Sequence, residues 1–136
     1  MSRPILWHLP LSPYSEKVRW ALDYKGVEHD RRAPVAGYHM AAALVLTRGR
    51  HWTLPVMRLG RHNIGDSTAI LTALEDRYPE RPLYPADSGE RRRALELEDW
   101  FDEHAGPPVR RFAFHALRED REQFDELASR QLPGPL

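Results

Sequence analysis

Residues 9–22, Leu-Pro-Leu-Ser-Pro-Tyr-Ser-Glu-Lys-Val-Arg-Trp-Ala-Leu, constrain the fold more than any other stretch. A short apolar segment, a Ser-Pro turn and an amphipathic helix follow one another there without a break. Ser12 is a good N-cap, and Pro13 suits the first helical position, where its missing N–H would have no partner anyway. Tyr14, Val18, Ala21 and Leu22 fall on one helical face, and Gly26 supplies a C-terminal stop. Pro4 to His8 reads as a strand leading into this helix and Val27 to Arg32 as a second strand after it, which makes a βαβ unit. Ser12 then sits where backbone donors and the helix dipole favour an anion. Taken alone, it reads as a helix cap and nothing more.

Further along, Met40 to Leu46 is helix-prone in its first half, but the flanking Pro34, Gly37 and Gly49 predict an irregular or short helix. Leu54 to Leu59 and Arg61 to Ile64 are β-prone runs around Gly60, as in an antiparallel hairpin. Asp66-Ser67 precedes Ala69, Ile70, Ala73 and Leu74 at helical spacing, and Tyr78-Pro79 closes that helix because a residue before proline avoids the α region. The order to this point is βαβ, a helix, then ββα.

Pro79 to Asp87 carries three prolines and reads as a link. Beyond it, Glu90 to His104 is a charged helix with Ala94, Leu97, Trp100 and Phe101 on one side, expected to break at Gly106-Pro107-Pro108. A second helix then carries an apolar stripe of Val109, Phe112, Ala113, Ala116, Leu117, Phe124, Leu127 and Ala128.

Composition excludes several classes. With 136 residues, 41% of them hydrophobic, the chain can bury a core, and no apolar run is long enough to span a bilayer. Its start lacks the pattern of a signal peptide, so the expected location is cytoplasmic and no membrane partner is expected. Twenty basic residues balance twenty acidic ones, so there is no global field to draw in nucleic acid. The absence of cysteine removes disulfides, thiolate nucleophiles and dithiol redox chemistry. The seven histidines show no metal-ligand spacing and no metal site is expected. A serine hydrolase reading fails because Ser12 stands in no Gly-x-Ser-x-Gly elbow.

Three motifs in order, Ser12 to Leu22, Leu54-Pro55-Val56 and Asp66-Ser67-Thr68-Ala69-Ile70, resemble the active-site turn, cis-proline segment and glutamyl-binding helix start of the glutathione transferase superfamily. The resemblance implies an α/β thioredoxin-like domain over residues 1–80, βαβ-α-ββα on a mixed four-stranded sheet, followed by a short all-α unit of two helices over 88–136. It implies Ser12 as the catalytic residue, donating to the thiolate of glutathione, the co-substrate. It also makes Leu54 and Pro55 the holders of the cysteinyl part, and Asp66 with Ser67 the holders of the γ-glutamyl end. A cis bond before Pro55 would turn the Leu54 backbone outward to pair with an extended peptide, whereas a trans bond would make it an ordinary strand start. Asp66 and Ser67 read equally as plain helix caps. Ser12 and Ser15 stand where related redox folds carry Cys-Pro-Tyr-Cys, and a hydroxyl can stabilise a thiolate but form no mixed disulfide. Tyr38, His39 and His51 lie near the region where relatives bind the glycine carboxylate of glutathione, and no one of them is assigned that contact.

The expected function is conjugation of glutathione to a small electrophile through a Ser-stabilised thiolate. The alternative is a non-catalytic glutathione-binding or interaction module. Relatives have a longer helical half that supplies most of the electrophile pocket, and here two helices follow the link. Their apolar faces predict a homodimer.

Overall fold

The structure, a computed structural model, describes residues 2–35, 37–120, 122 and 126. Two compact units divide the chain, Met1–Leu83 and Tyr84–Leu136. In the first, the elements run β1 (Ile5–Trp7), α1 (Pro13–Lys25), β2 (Asp30–Arg32), α2 (His39–Thr47), β3 (Val56–Leu59), β4 (His62–Gly65) and α3 (Ser67–Arg77). This is the expected order. The sheet is mixed, β2-β1-β3-β4, with β1 parallel to β2 and antiparallel to β3, and β3 antiparallel to β4.

Alternation along the strands separates two cores. Leu6 and Met57, directly opposed in the register, belong to the cluster of Val18, Ala21 and Leu22 from α1 with Ile70, Leu71 and Leu74 from α3. Trp7 and Val56, one position along, join Leu54 and Ala43 of α2 in the second cluster. The sheet is thus covered by α1 and α3 on one face and by α2 on the other.

Helix boundaries follow local chemistry. Ser12 caps α1 by accepting from Ser15 N at 3.3 Å. Gly26 ends the helix at φ 68, a left-handed conformation that suits glycine. Val27 N donates to Leu22 O at 3.0 Å, so Val27 closes the cap and β2 begins only at Asp30, later than the expected Val27. α2 is one regular helix of 9 residues, ended by Arg48 at φ 55 and Gly49 at φ 80. Beyond Arg77, Tyr78 leaves the helical region, as the following proline requires.

The second unit differs from expectation at one place. α4 (Ser88–Trp100) and α5 (Gly106–Glu119) are not separated by a break at Gly106-Pro107-Pro108; a π-helical segment, Phe101–Ala105, joins them, and Gly106 has helical angles of −57° and −50°. Gly106 N donates to Phe101 O, five residues back. Pro107 and Pro108 lack N–H groups and crowd the preceding turn, and a widened turn accommodates them without ending the helix. Of the apolar stripe read along this segment, Phe124, Leu127 and Ala128 lie outside the described residues. No helix among the described residues is long and apolar enough to cross a membrane.

Candidate functional site

Strand register brings the three sequence motifs to one end of the sheet. Trp7 pairs with Val56, and Val56 with Gly65. At about 4.8 Å between neighbouring strands, these three positions lie within about 10 Å. From Trp7 the chain enters the turn that carries Ser12. Leu54-Pro55 runs directly into Val56, and Asp66-Ser67 leaves directly from Gly65. Ser12, Leu54, Pro55, Asp66 and Ser67, 55 positions apart from first to last, therefore open from a single edge of the β-structure. The starts of α1 and α3 are neighbours too, since Lys17 Nζ donates to Thr68 Oγ1 at 3.1 Å.

Each position has a defined local state. Ser12 is half-buried, with extended angles of −80° and 123° and its Oγ turned to Ser15 N. The Leu54–Pro55 peptide bond is cis. Leu54 is buried in the second core cluster, so its side chain is occupied with packing and any ligand contact there falls to the backbone. Asp66 is exposed, adopts φ 74 and caps α3 by accepting from Ala69 N at 3.0 Å. A non-glycine residue at that angle carries strain of about 1–3 kcal/mol, a feature concentrated at functional sites. One carboxylate oxygen serves the cap and the other remains to accept. Ser67, the first residue of α3, is buried.

The turn before Ser12 is held from within α1. Ser12 N donates to Leu9 O at 3.1 Å, and Leu9 N donates to the buried Ser15 Oγ at 3.1 Å. Arg19, only 8% exposed, donates from Nη1 to Leu9 O at 3.3 Å and from Nη2 to Pro10 O at 3.0 Å. Its Nη1 also donates to His8 Nδ1 at 2.7 Å, and its Nε to Glu16 Oε2 at 2.6 Å. An arginine cannot accept, so the His8 ring must present a lone pair to it. Burial, and then the neighbouring Arg19 charge, push the His8 pKa down to about 4. The same guanidinium lowers the pKa of Glu16 through the hydrogen bond it donates.

Sequence reading missed this cluster, though a signal was present: Glu16 and Arg19 are three residues apart on a helix, a spacing at which opposite charges meet. Of the three residues considered for a glycine carboxylate, Tyr38 is exposed and His39 Nδ1 accepts from Gly37 N at 3.3 Å. His51 lies against the end of β4, where a Cβ on Gly65 would fall 2.5 Å from its ring. Among the described residues no three His, Cys, Asp or Glu side chains group closely enough for a metal ion.

Comparisons with known proteins agree with this architecture. The family described as Glutathione S-transferase, N-terminal domain, matches residues 6–82. A glutathione S-transferase of Triticum aestivum is 32% identical over 90 residues, covering 63% of this chain and 39% of the relative. A glutathione S-transferase from Methylobacterium radiotolerans, solved in complex with glutathione sulfonate, is 28% identical with a TM-score of 0.68, over 96% of this chain and 60% of that one. A maleylacetoacetate isomerase from Anaeromyxobacter dehalogenans, solved with bound dicarboxyethyl glutathione and citrate, is 29% identical with a TM-score of 0.64, over 93% of this chain and 60% of that one. The chain spans about half the length, or less, of the curated relatives it matches. With this fold and a family match over residues 6–82, more than half its length, the chain belongs to the glutathione transferase superfamily.

Proposed function

We propose that the protein is a glutathione-dependent transferase of the serine type, conjugating glutathione to a small electrophile. Glutathione is the co-substrate: Asp66 pairs with the γ-glutamyl amino group, and Ser67 with the first N–H groups of α3 receives the neighbouring carboxylate. The Leu54 backbone, fixed by Pro55, pairs with the cysteinyl part as a short added strand. Ser12 donates a hydrogen bond to the sulfur and favours the thiolate, the thiol proton passing to solvent; the thiolate then attacks the electrophile, and with an aryl halide the new C–S bond forms as the carbon–halogen bond breaks and halide leaves.

The observation that carries this reading is the register Trp7–Val56–Gly65, which draws the three motifs to one sheet end. Solved relatives bound to glutathione derivatives lend it support. The proposal extends to a homodimer and a cytoplasmic location.

Calorimetric titration with glutathione, followed by turnover of a generic aryl halide, tests it. Binding with turnover is expected. Binding without turnover would favour the alternative, a glutathione-binding or interaction module, and no binding would remove both.

A further inference from the structure

We infer that Arg19 is the positioning residue for Ser12: its guanidinium, braced by Glu16, fastens the carbonyls of Leu9 and Pro10 and so fixes the turn from which the Ser12 hydroxyl projects. The inference rests on the proposed role of Ser12 and adds to it a residue that does not itself reach the sulfur.

Past Trp7 the chain leaves the sheet, keeping one last backbone link from His8 N to Arg32 O at 3.0 Å. Leu9 and Pro10 are then held by side chains of α1, Ser15 and Arg19. Leu9 O accepts from both Ser12 N and Arg19 Nη1, and Pro10 O accepts from Arg19 Nη2. Leu9 O is thus shared by the residue that is positioned and the residue that positions it.

Arginine suits this task because its planar fork can satisfy several fixed acceptors at once, which a lysine ammonium on a flexible stem cannot do in the same geometry. The charge is balanced where it is buried: Glu16 Oε2 accepts from Arg19 Nε, and Glu16 Oε1 accepts from Trp20 Nε1 at 2.8 Å. Glu16 thus links the guanidinium to Trp20 one turn along the helix.

The test uses the full chain with Arg19→Gln, Arg19→Lys and Glu16→Gln, each checked for an intact thermal transition. Hydrogen exchange reads the positioning itself. In Arg19→Gln the amides of Ser12 and Ser15 should exchange at least ~10-fold faster while those of α3 are unchanged, with Arg19→Lys between it and the wild type. The kinetic consequence is a kcat for the aryl halide lowered ~10-fold or more with the glutathione affinity held within ~2-fold, and an apparent thiol pKa raised. Arg19→Gln that is folded, with unchanged Ser12 and Ser15 exchange, overturns the inference whatever the activity. If Arg19→Gln does not fold, Glu16→Gln carries the test, with the same amides exchanging faster by a smaller factor and no change overturning the inference. Failure of the serine reading shows separately, as coincident pH–rate profiles of the wild type and Ser12→Ala.

Discussion

Ser12 Oγ accepts from the helix and has a hydrogen to give away, so one atom can be both cap and thiolate donor. A thiol with a pKa near about 8.5 is mostly protonated at neutral pH, and each unit of lowering needs about 1.4 kcal/mol of preference for the thiolate. A charge-assisted hydrogen bond of roughly 1.5–3 kcal/mol, with up to about 1 from the helix dipole, could supply one to two units. Ser12→Ala is therefore expected to raise the apparent thiol pKa in the pH–rate profile by about that much, with glutathione affinity nearly kept. At Asp66 the strained φ and the cap complicate a simple truncation. Asp66→Asn keeps an oxygen for Ala69 N and a side chain of the same size, so stability should hold while the glutathione dissociation constant weakens by about 1.5–3 kcal/mol, measured calorimetrically. His8 gives a third residue-level expectation. Its native pKa near 4 lies below the ordinary 6.5, so below about pH 6.5 the unfolded chain takes up a proton that the native chain refuses. The stability associated with the neutral ring is fully present above about pH 6.5 and is lost progressively as pH falls toward about 4. Urea melts across that window should show a shallower decline in His8→Gln than in the wild type. Ser12 and Asp66 were legible because cap chemistry is local. His8 and Arg19 were not, because whether a charged side chain is buried is decided by what folds over it.

Among the elements, α1 and α3 are joined by a device that periodicity alone does not reveal. Lys25 is buried in the last turn of α1, where Nζ meets Glu75 Oε1 at 2.5 Å and donates to Tyr78 O at 2.8 Å and Arg81 O at 2.9 Å. Glu75 Oε1 also accepts from Leu83 N at 2.8 Å, so the end of α3 and the chain beyond it are tied to one cation. Lys25→Met leaves Glu75 buried without that cation and should destabilise the first unit by about 3–5 kcal/mol, read from denaturant melts. The double variant Lys25→Met, Glu75→Leu should recover part of that loss, because it removes the buried carboxylate along with the ammonium. Such a pair shows where sequence reading stops. Lys25 falls seven residues after Val18, on the same helical face, yet spacing cannot tell an apolar stem with a paired ammonium from a solvated lysine. The short strands were legible from apolar runs and turn residues. Their ends were not, since Val27 closes a helix cap instead of starting β2. At Gly106-Pro107-Pro108 a strong breaker signal lost to a widened turn, which satisfies the backbone by another route.

At the scale of the whole molecule, what stands out is how little apolar surface the second unit covers for itself. Among its described residues only Tyr84 is buried, while Leu97, Trp100, Phe101, Val109, Phe112 and Phe114 are all at least half exposed. Trp100 stacks on His104 and meets Phe101 edge-on, so part of this surface is a preformed aromatic cluster. Monomeric proteins rarely leave a contiguous apolar patch of more than a few hundred Å² in water, and large rigid aromatic side chains dominate the energetics of the interfaces that cover such patches. The chain carries no net charge to oppose association. A second copy of the chain is the expected cover, through an interface that uses the same face on both partners. Sedimentation velocity should show a dimer whose population rises with concentration. Phe112→Glu places a charge in the exposed stripe, outside the unit that carries Ser12, Leu54 and Asp66, and should shift the population toward monomer without loss of glutathione binding. A single monomeric species at every concentration in the wild type would overturn the prediction. A dimer unmoved by Phe112→Glu would place the interface elsewhere, and the same substitution at Trp100 or Phe101 would then decide whether the helical unit takes part at all.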